Sequence, residues 1–139
     1  MIKTLEERIL ELEAREKIKE ILANYSHGVD KRDEAVFIDL WEEEAVWDQG
    51  NGQCYINKQE ILQGVKGAWE RFTNTYHYTM NEVIQVDLKS GTASSIADVD
   101  TRVTSSAGNS IIISATYYDK FRMTNGTWRF TERKTMIHR

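Results

Sequence analysis

One histidine and one aspartate in this sequence have the side chains that proton transfer near neutral pH requires. His77 and Asn81 share one face of a predicted strand, where polar residues alternate with aromatic ones. Asp30 follows the last apolar residue of a long predicted helix, as either a solvated loop acid or part of a buried site. A neighbouring carboxylate would fix the tautomer of a histidine base. An ordinary surface position for His77 is the alternative.

Several other residues are of types that could bind a small molecule. Tyr25 lies on the apolar face of the helix that ends near Asp30. Arg133 is predicted on the strand face opposite Trp128 and Phe130, where it would point into a cavity or across an interface. The residues that we predict to bind substrate are Arg133, Asn81, Trp47 and Tyr117.

A second acidic group is present on another strand. Asp98 and Asp100 share one face with Arg102, and such alternation of charges is typical of a solvated sheet face. A buried member of this set could instead act as a protonated donor, as a second Asp does in ketosteroid isomerase.

Composition excludes several classes of function. The net charge of −4, with no basic patch, argues against binding to nucleic acid or to an anionic membrane surface. The three histidines and Cys54 lack the spacing of metal ligands, and no glycine-rich phosphate loop is present. We therefore expect no metal site and no phosphate-binding loop. One cysteine allows no disulfide within the chain, which favours a cytoplasmic protein.

The elements that must position these residues follow from hydrophobic periodicity. Steps of three and four predict a helix over 3–29, then a short helix capped by Asp33 with Trp41 on its apolar face, and a third helix capped by Asn57. A short strand is predicted at Ala45–Asp48. The period then changes to two, which predicts four long strands. These strands are His77–Leu88, Thr92–Thr104, Ile111–Met123 and Trp128–His138.

Three helices followed by antiparallel strands predict an α+β fold formed by one domain over residues 1–139. Strands of about 12 residues exceed the usual five or six, so the sheet should be strongly curved. A curved sheet closed by three N-terminal helices would form a cone-shaped barrel. The apolar face of the first helix shifts near Arg15, and aromatic side chains lie on strand faces, so we expect a homo-oligomer, a dimer or a trimer.

Several short motifs follow one another along nearly the whole chain. They are Tyr25 with Asp30, Arg32-Asp33, Phe37 to Trp41 with Ala45-Val46-Trp47, His77 with Asn81, Tyr118 to Phe121, and Gly126 to Phe130 with Arg133. Their order and spacing resemble the SnoaL-like branch of the nuclear-transport-factor-two-like superfamily. Within that branch, the Asp and His pairing is similar to that of scytalone dehydratase, hexachlorocyclohexane dehydrochlorinase and bile acid 7α-dehydratase.

The resemblance implies a lyase of the dehydratase type, without metal or organic cofactor, that acts on a small, largely apolar, oxygenated cyclic substrate. His77 would remove a proton, Asp30 would orient it, and Tyr25 would donate to a substrate oxygen. An isomerase or polyketide cyclase using the same base is one alternative. A non-catalytic binding or oligomerisation module is another, because this fold hosts many functions.

Overall fold

The long first helix, α1 (Leu5–Asp30), carries two of the predicted site residues at its C-terminal end. The computed structural model describes residues 2–139. Thr4 caps α1, since its Oγ1 accepts the backbone N–H of Glu7 at 3.1 Å. The first two turns are mostly exposed, and burial begins at Ala14. Only the C-terminal half of α1 therefore packs on the sheet.

Two shorter helices complete the helical layer, and each begins at a polar cap. Asp33 caps α2 (Glu34–Asp39) through the backbone N–H of Val36. Asn57 caps α3 (Lys58–Arg71) by accepting from Glu60 N, and the Glu60 carboxylate accepts the backbone N–H of Ile56. Among residues 2–139, no helix has the length and apolar character needed to cross a membrane.

Six strands form one sheet. Their bounds are β1 Trp41–Asp48, β2 Cys54–Ile56, β3 Phe72–Asp87, β4 Thr92–Ser105, β5 Ser110–Thr124 and β6 Thr127–Ile137. Their order in the sheet is β2-β1-β6-β5-β4-β3. The strands from β3 to β6 pair antiparallel with their sequence neighbours, and β1 pairs parallel with β6. The two edge strands do not pair with each other, so the helices and not the strands close the concave side.

The predicted α+β class and the curved, mainly antiparallel sheet are confirmed. Two local predictions were wrong. Trp41 begins β1 rather than extending the face of α2, and β3 begins at Phe72 rather than at His77. In the second case α3 passes directly into β3 without a loop, because Phe72 is already extended at φ −114° and ψ 135°. Sequence patterns that rely on Gly or Pro to mark boundaries do not detect such a junction.

Bulges bend the sheet and change which residues face the helices. Pairing in β3 shifts between Met80 and Val83, and Asn81 there has φ 57°. In β6, Phe130 pairs with Phe121 whereas Glu132 pairs with Lys120, so Thr131 is an extra residue. Each bulge reverses the alternation of inward and outward side chains beyond it.

An aromatic cluster fills the space between the helices and one end of the sheet. Trp41 and Phe130 lie 4.7 Å apart between ring centroids, and Tyr25 contacts Phe37, Trp41 and Phe130 with centroids 5.7–6.4 Å apart. Tilted and edge-on contacts of this kind add to the stabilisation that burial provides. The cluster fixes the rotation of α1 against the sheet and so fixes the direction of Tyr25.

Gly28 of α1 packs tightly against Phe37 of α2, which predicts a measurable loss of stability in Gly28→Ala. An added Cβ would lie 2.9 Å from Cβ and 3.0 Å from Cα of the fully buried Phe37. Overpacking costs about 1–3 kcal/mol, of which better helix propensity offsets up to ~1 kcal/mol. We expect the free energy of unfolding, measured with urea, to fall by about 1 kcal/mol.

Gly67 provides the control for that experiment. It also lies inside a helix, α3, but an added Cβ there would meet only Arg71 Nη1, at an ordinary 3.8 Å. Gly67→Ala should therefore raise the free energy of unfolding by up to ~1 kcal/mol. Equal effects of the two substitutions would contradict a tight contact at Gly28.

Candidate active site

A cavity of about 180 Å³ lies between the helices and the concave face of the sheet. Tyr25 and Val29 of α1, Val65 of α3 and the inward side chains of four long strands line it. Most of the lining is apolar. The inward strand residues are Thr75 and His77 of β3, Val99, Thr101 and Val103 of β4, Ile113, Ala115 and Tyr117 of β5, and Thr135 and Ile137 of β6.

His77 and Asp30 form a close pair at one side of this cavity. Nδ1 of His77 lies 2.6 Å from Oδ1 of Asp30, and the two side chains are 10% and 16% exposed. A carboxylate can only accept hydrogen bonds, so in the neutral imidazole Nδ1 carries the proton and Nε2 does not. This is the arrangement of an oriented histidine base.

Three donors hold the Asp30 carboxylate. The backbone N–H of His77 donates to Oδ2 at 2.7 Å, and Thr75 Oγ1 donates to Oδ1 at 2.9 Å, in addition to the imidazole. Thr75 is two residues before His77 and therefore lies on the same face of β3. One short stretch of β3 thus supplies both the base and the groups that fix its carboxylate partner.

Contacts from three elements place the end of α1 against the start of β3. Trp69 Nε1 donates to the carbonyl of Val29 at 2.8 Å, which ties α3 to α1 beside Asp30. Arg32 has φ 53°, and its Nη2 donates to the carbonyls of Phe72 and Thr73 at 2.8 and 3.2 Å. These contacts bring together Asp30 and His77, which are 47 residues apart in sequence.

Tyr25 lies next to the pair and lines the same cavity. Its ring is perpendicular to that of His77, with centroids 5.8 Å apart, and it also contacts Trp47 and Tyr117. Burial raises the pKa of Tyr25, so its hydroxyl stays protonated and can donate a hydrogen bond near neutral pH. Trp47 and Tyr117 line the cavity as well, and so these three predicted residues lie around one space.

The spacing in β6 predicted that Arg133 faces away from Trp128 and Phe130. In the structure it lies on the same face as both residues. The extra residue at Thr131 reverses the alternation, so that Phe130 and Arg133 both point inward. The Arg133 side chain is fully buried and is not among the residues that line the cavity. Arg133 is therefore not placed to contact a substrate in the cavity directly.

Arg133 instead lies behind two cavity tyrosines. Its guanidinium carbon is 4.2 Å from the ring centroid of Tyr25 and 3.6 Å from that of Tyr117. Nε and Nη2 each donate at 2.8 Å to the two oxygens of Asp119, which is also fully buried. Burial alone would lower the pKa of Arg133, but Asp119, with smaller contributions from Tyr117 and Tyr25, outweighs that effect and the pKa rises. The ion pair supports both tyrosines from behind.

Asn81 and the acids of β4 lie on the other side of the sheet. The β3 bulge turns Asn81 outward, where its Nδ2 donates to Asp98 at 3.0 Å. Hydrogen bonds from Asn81 and Thr116 lower the pKa of Asp98, which opposes a protonated donor role. Asp100 is exposed and accepts from Ser114. Neither aspartate is placed to assist His77, and Asn81 lies away from the cavity.

Sequence reasoning missed two residues that the site depends on. Thr75 lies before the start of the predicted strand, although its two-residue spacing from His77 would have identified it. For Asp119 the sequence pattern indicates only a shared face with Tyr117, and no local signal pairs it with Arg133. Within residues 2–139, no three or more His, Cys, Asp or Glu side chains group closely enough to hold a metal ion.

Comparison with known proteins places this chain in a family. Residues 10–134 match the SnoaL-like domain family. The chain belongs to the SnoaL-like domain family. This SnoaL-like domain is 28% identical over 127 residues to the gamma-hexachlorocyclohexane dehydrochlorinase of Sphingobium indicum, covering 88% of this chain and 79% of that protein. The resemblance predicted from the motifs is thereby confirmed. These relationships support a lyase-type enzyme that acts on a small molecule.

Solved structures share the fold of this SnoaL-like domain. A type 3 hexachlorocyclohexane dehydrochlorinase from Novosphingobium barchaimii superposes with a TM-score of 0.85 at 24% identity, over 93% of this chain and 89% of that one. A scytalone dehydratase-like protein from Novosphingobium aromaticivorans gives 0.85 at 17% identity, over 93% and 87%. At these identities the likeness establishes the fold alone.

The buried tyrosines predict that this SnoaL-like domain loses stability at alkaline pH. Burial raises the pKa of both Tyr25 and Tyr117 above the ordinary value of 10.0. Their contribution to the free energy of unfolding is fully present below about pH 10 and is lost as pH rises through the folded-state pKa. The reason is that the two tyrosines ionise more readily in the unfolded chain than in the folded one. Urea unfolding should be measured from about pH 9 to about pH 11, a range that spans the ordinary tyrosine pKa of about 10. The free energy of unfolding should fall more steeply with pH in the wild type than in Tyr117→Phe. Equal slopes would contradict the raised pKa.

Proposed function

We propose that this domain is a lyase of the dehydratase type that needs no metal or organic cofactor. The observation that carries the proposal is the His77–Asp30 pair, 2.6 Å apart and largely buried beside an apolar cavity. A cavity filled by aromatic side chains would have favoured a binding module instead. The open space next to an oriented base supports catalysis.

In the proposed reaction, Nε2 of His77 takes a proton from a carbon of a small, largely apolar, oxygenated ring. The electron pair of that C–H bond forms a double bond to the neighbouring carbon, whose bond to a hydroxyl oxygen breaks. Asp30 stabilises the imidazolium. The proton taken by His77 leaves with the hydroxyl group as water, so no co-reactant is consumed.

Tyr25 favours a dehydratase over a dehydrochlorinase such as the related enzyme of Sphingobium indicum. Its raised pKa keeps the hydroxyl protonated, and so Tyr25 donates a hydrogen bond to the leaving oxygen without losing its own proton. Chloride departs without protonation and gains less from such a donor. An isomerase or cyclase with the same base would also use Tyr25, on a carbonyl oxygen that gains charge.

The test of this proposal is a turnover screen that follows the mass of the product. Hydroxylated steroids, polyketides and hydroxylated or chlorinated cyclic compounds would each be incubated with the wild type and with His77→Gln. Loss of the mass of water, absent in the variant, is the expected result. Rearrangement without mass loss would favour the isomerase, and tight binding with no product in any compound would favour the binding module.

We also propose that the domain self-associates through the outer face of its sheet. That face exposes apolar and aromatic side chains on four strands, and the first turns of α1 expose Leu5 and Leu12. Exposed apolar patches of this kind mark interaction surfaces. The outer-face residues are Tyr76, Tyr78, Met80, Val83, Ile96, Ile112, Tyr118 and Met136.

Light scattering should therefore give a mass of two or three times 16.2 kDa at micromolar concentration. Tyr78→Glu should reduce it to the mass of one chain, since a charge on the outer face would be buried without a partner. Leu12→Glu tests whether the first turns of α1 form a second contact, since a lower mass in this variant would show that they do. A monomeric wild type would contradict the proposal.

A further inference from the structure

Arg71 is the one permanently charged side chain among the described residues that line the cavity. It is the last residue of α3 and is exposed, whereas the inner lining residues are buried or half-buried. Two polar residues, the half-buried Gln49 and the exposed Asn51, also line the cavity. We call these three residues the cavity mouth. A single cation in a polar mouth above an apolar interior gives the cavity two chemically different ends.

The guanidinium of Arg71 makes no ion pair with any residue in 2–139. Some other arginines are engaged: Arg129 bonds to Asp39 and Arg133 to Asp119, while Arg32 donates to two backbone carbonyls. Arg71 does lie at the C-terminus of α3 and 5.6 Å from the ring of Phe72. Those contacts favour a positive charge there. They leave the planar set of N–H donors available to a ligand.

We propose that Arg71 binds a terminal carboxylate of the substrate whose apolar body occupies the cavity. The assignment rests on the proposed function, since it specifies the substrate class of the same site. A guanidinium matches a carboxylate through two parallel hydrogen bonds. A phosphate ester is a poorer fit, because phosphates take several donors or a helix N-terminus, and this end of α3 is a C-terminus.

The position of Arg71 also places the carboxylate far from the reacting carbon. His77 follows Arg71 by six residues, which at about 3.3 Å per residue is at most roughly 20 Å between their Cα atoms, since pairing shifts between Phe72 and Asn74. Arginine's long side chain shortens that span but does not close it. The substrate is therefore an elongated apolar acid: a ring near His77 and Tyr25, and a carboxylate several bonds away at the mouth.

The test compares an acid with its uncharged amide of the same shape. Calorimetric titration of the wild type with cyclohexanebutanoate and with cyclohexanebutanamide gives the two Kd values, and the indole NMR signal of Trp47 reports entry into the cavity. We expect the acid to bind roughly tenfold more tightly than the amide. Arg71→Gln should bring the ratio close to one, and Arg71→Lys should restore part of it.

Arg102→Gln is the matched control, because Arg102 lies in β4 between cavity-lining Thr101 and Val103 but points to the exposed face. It removes the same charge and should keep the acid preference. His77→Gln should also keep the preference for the acid, because binding of the carboxylate does not require the base. Absence of turnover would therefore count against the lyase and not against the carboxylate site. Equal binding of acid and amide by the wild type, no binding of the acid, or an unchanged ratio in Arg71→Gln would overturn the proposal.

Discussion

Replacing His77 by Gln should lower kcat/KM on the true substrate by at least ~10²-fold while the fold persists. Gln keeps the approximate size and can still donate to Asp30, 2.6 Å from Nδ1, but it has no basic nitrogen to take the proton. Steady-state kinetics gives the loss. A thermal melt within a few degrees of the wild type would separate lost chemistry from lost structure.

Asp30→Asn tests the partner of that base. Its amide keeps the shape, and its single oxygen can still accept from the His77 backbone N–H while its NH2 donates to Thr75 Oγ1. It lacks the charge that stabilises the imidazolium. The loss should be comparable to that of His77→Gln. Because the two residues act as a unit, the double variant should be hardly worse than either single one. Losses that multiply would mean that the two residues act separately.

Tyr25→Phe provides the graded comparison. It deletes one hydroxyl and keeps the ring contacts with His77 and Tyr117. Its effect on kcat/KM should therefore be smaller than loss of the base. A Tyr25→Phe variant as inactive as His77→Gln would make Tyr25 the central group and would contradict the assigned roles.

Breaking the Arg133–Asp119 ion pair should have the largest effect on stability, a loss of about 3–5 kcal/mol in Asp119→Asn or Arg133→Met. Both side chains are fully buried and joined by two hydrogen bonds of 2.8 Å. Removing one partner leaves the other charge buried and unpaired. Urea unfolding measures the loss directly, as a shift in midpoint.

The neighbouring register offers a control for that ion pair. Lys120 and Glu132 pair across the same two strands at 3.7 Å, but their side chains are 71% and 37% exposed. Lys120→Met should change the free energy of unfolding by less than about 1 kcal/mol. Similar losses in both pairs would contradict the view that burial, and not charge alone, sets the cost. The double variant Asp119→Leu with Arg133→Met should recover part of the stability.

Residue types and periodicity determined much of this protein. They predicted the three helices, the caps at Asp33 and Asn57, and the long strands, because each depends on contacts within a few residues. They also identified Tyr25, Asp30 and His77 as candidates. Their assignment as catalytic residues stays a prediction until the variants above are measured.

Only the tertiary structure decided where several of the other candidates point. One extra residue at Thr131 turns Arg133 inward, and a bulge near Asn81 turns it outward, because strand alternation reverses at each bulge. Such bulges arise from packing across strands and leave no local pattern. The distance between Asp30 and His77 likewise depends on how α1 meets β3, through Trp69 and Arg32, which are distant from each other in sequence.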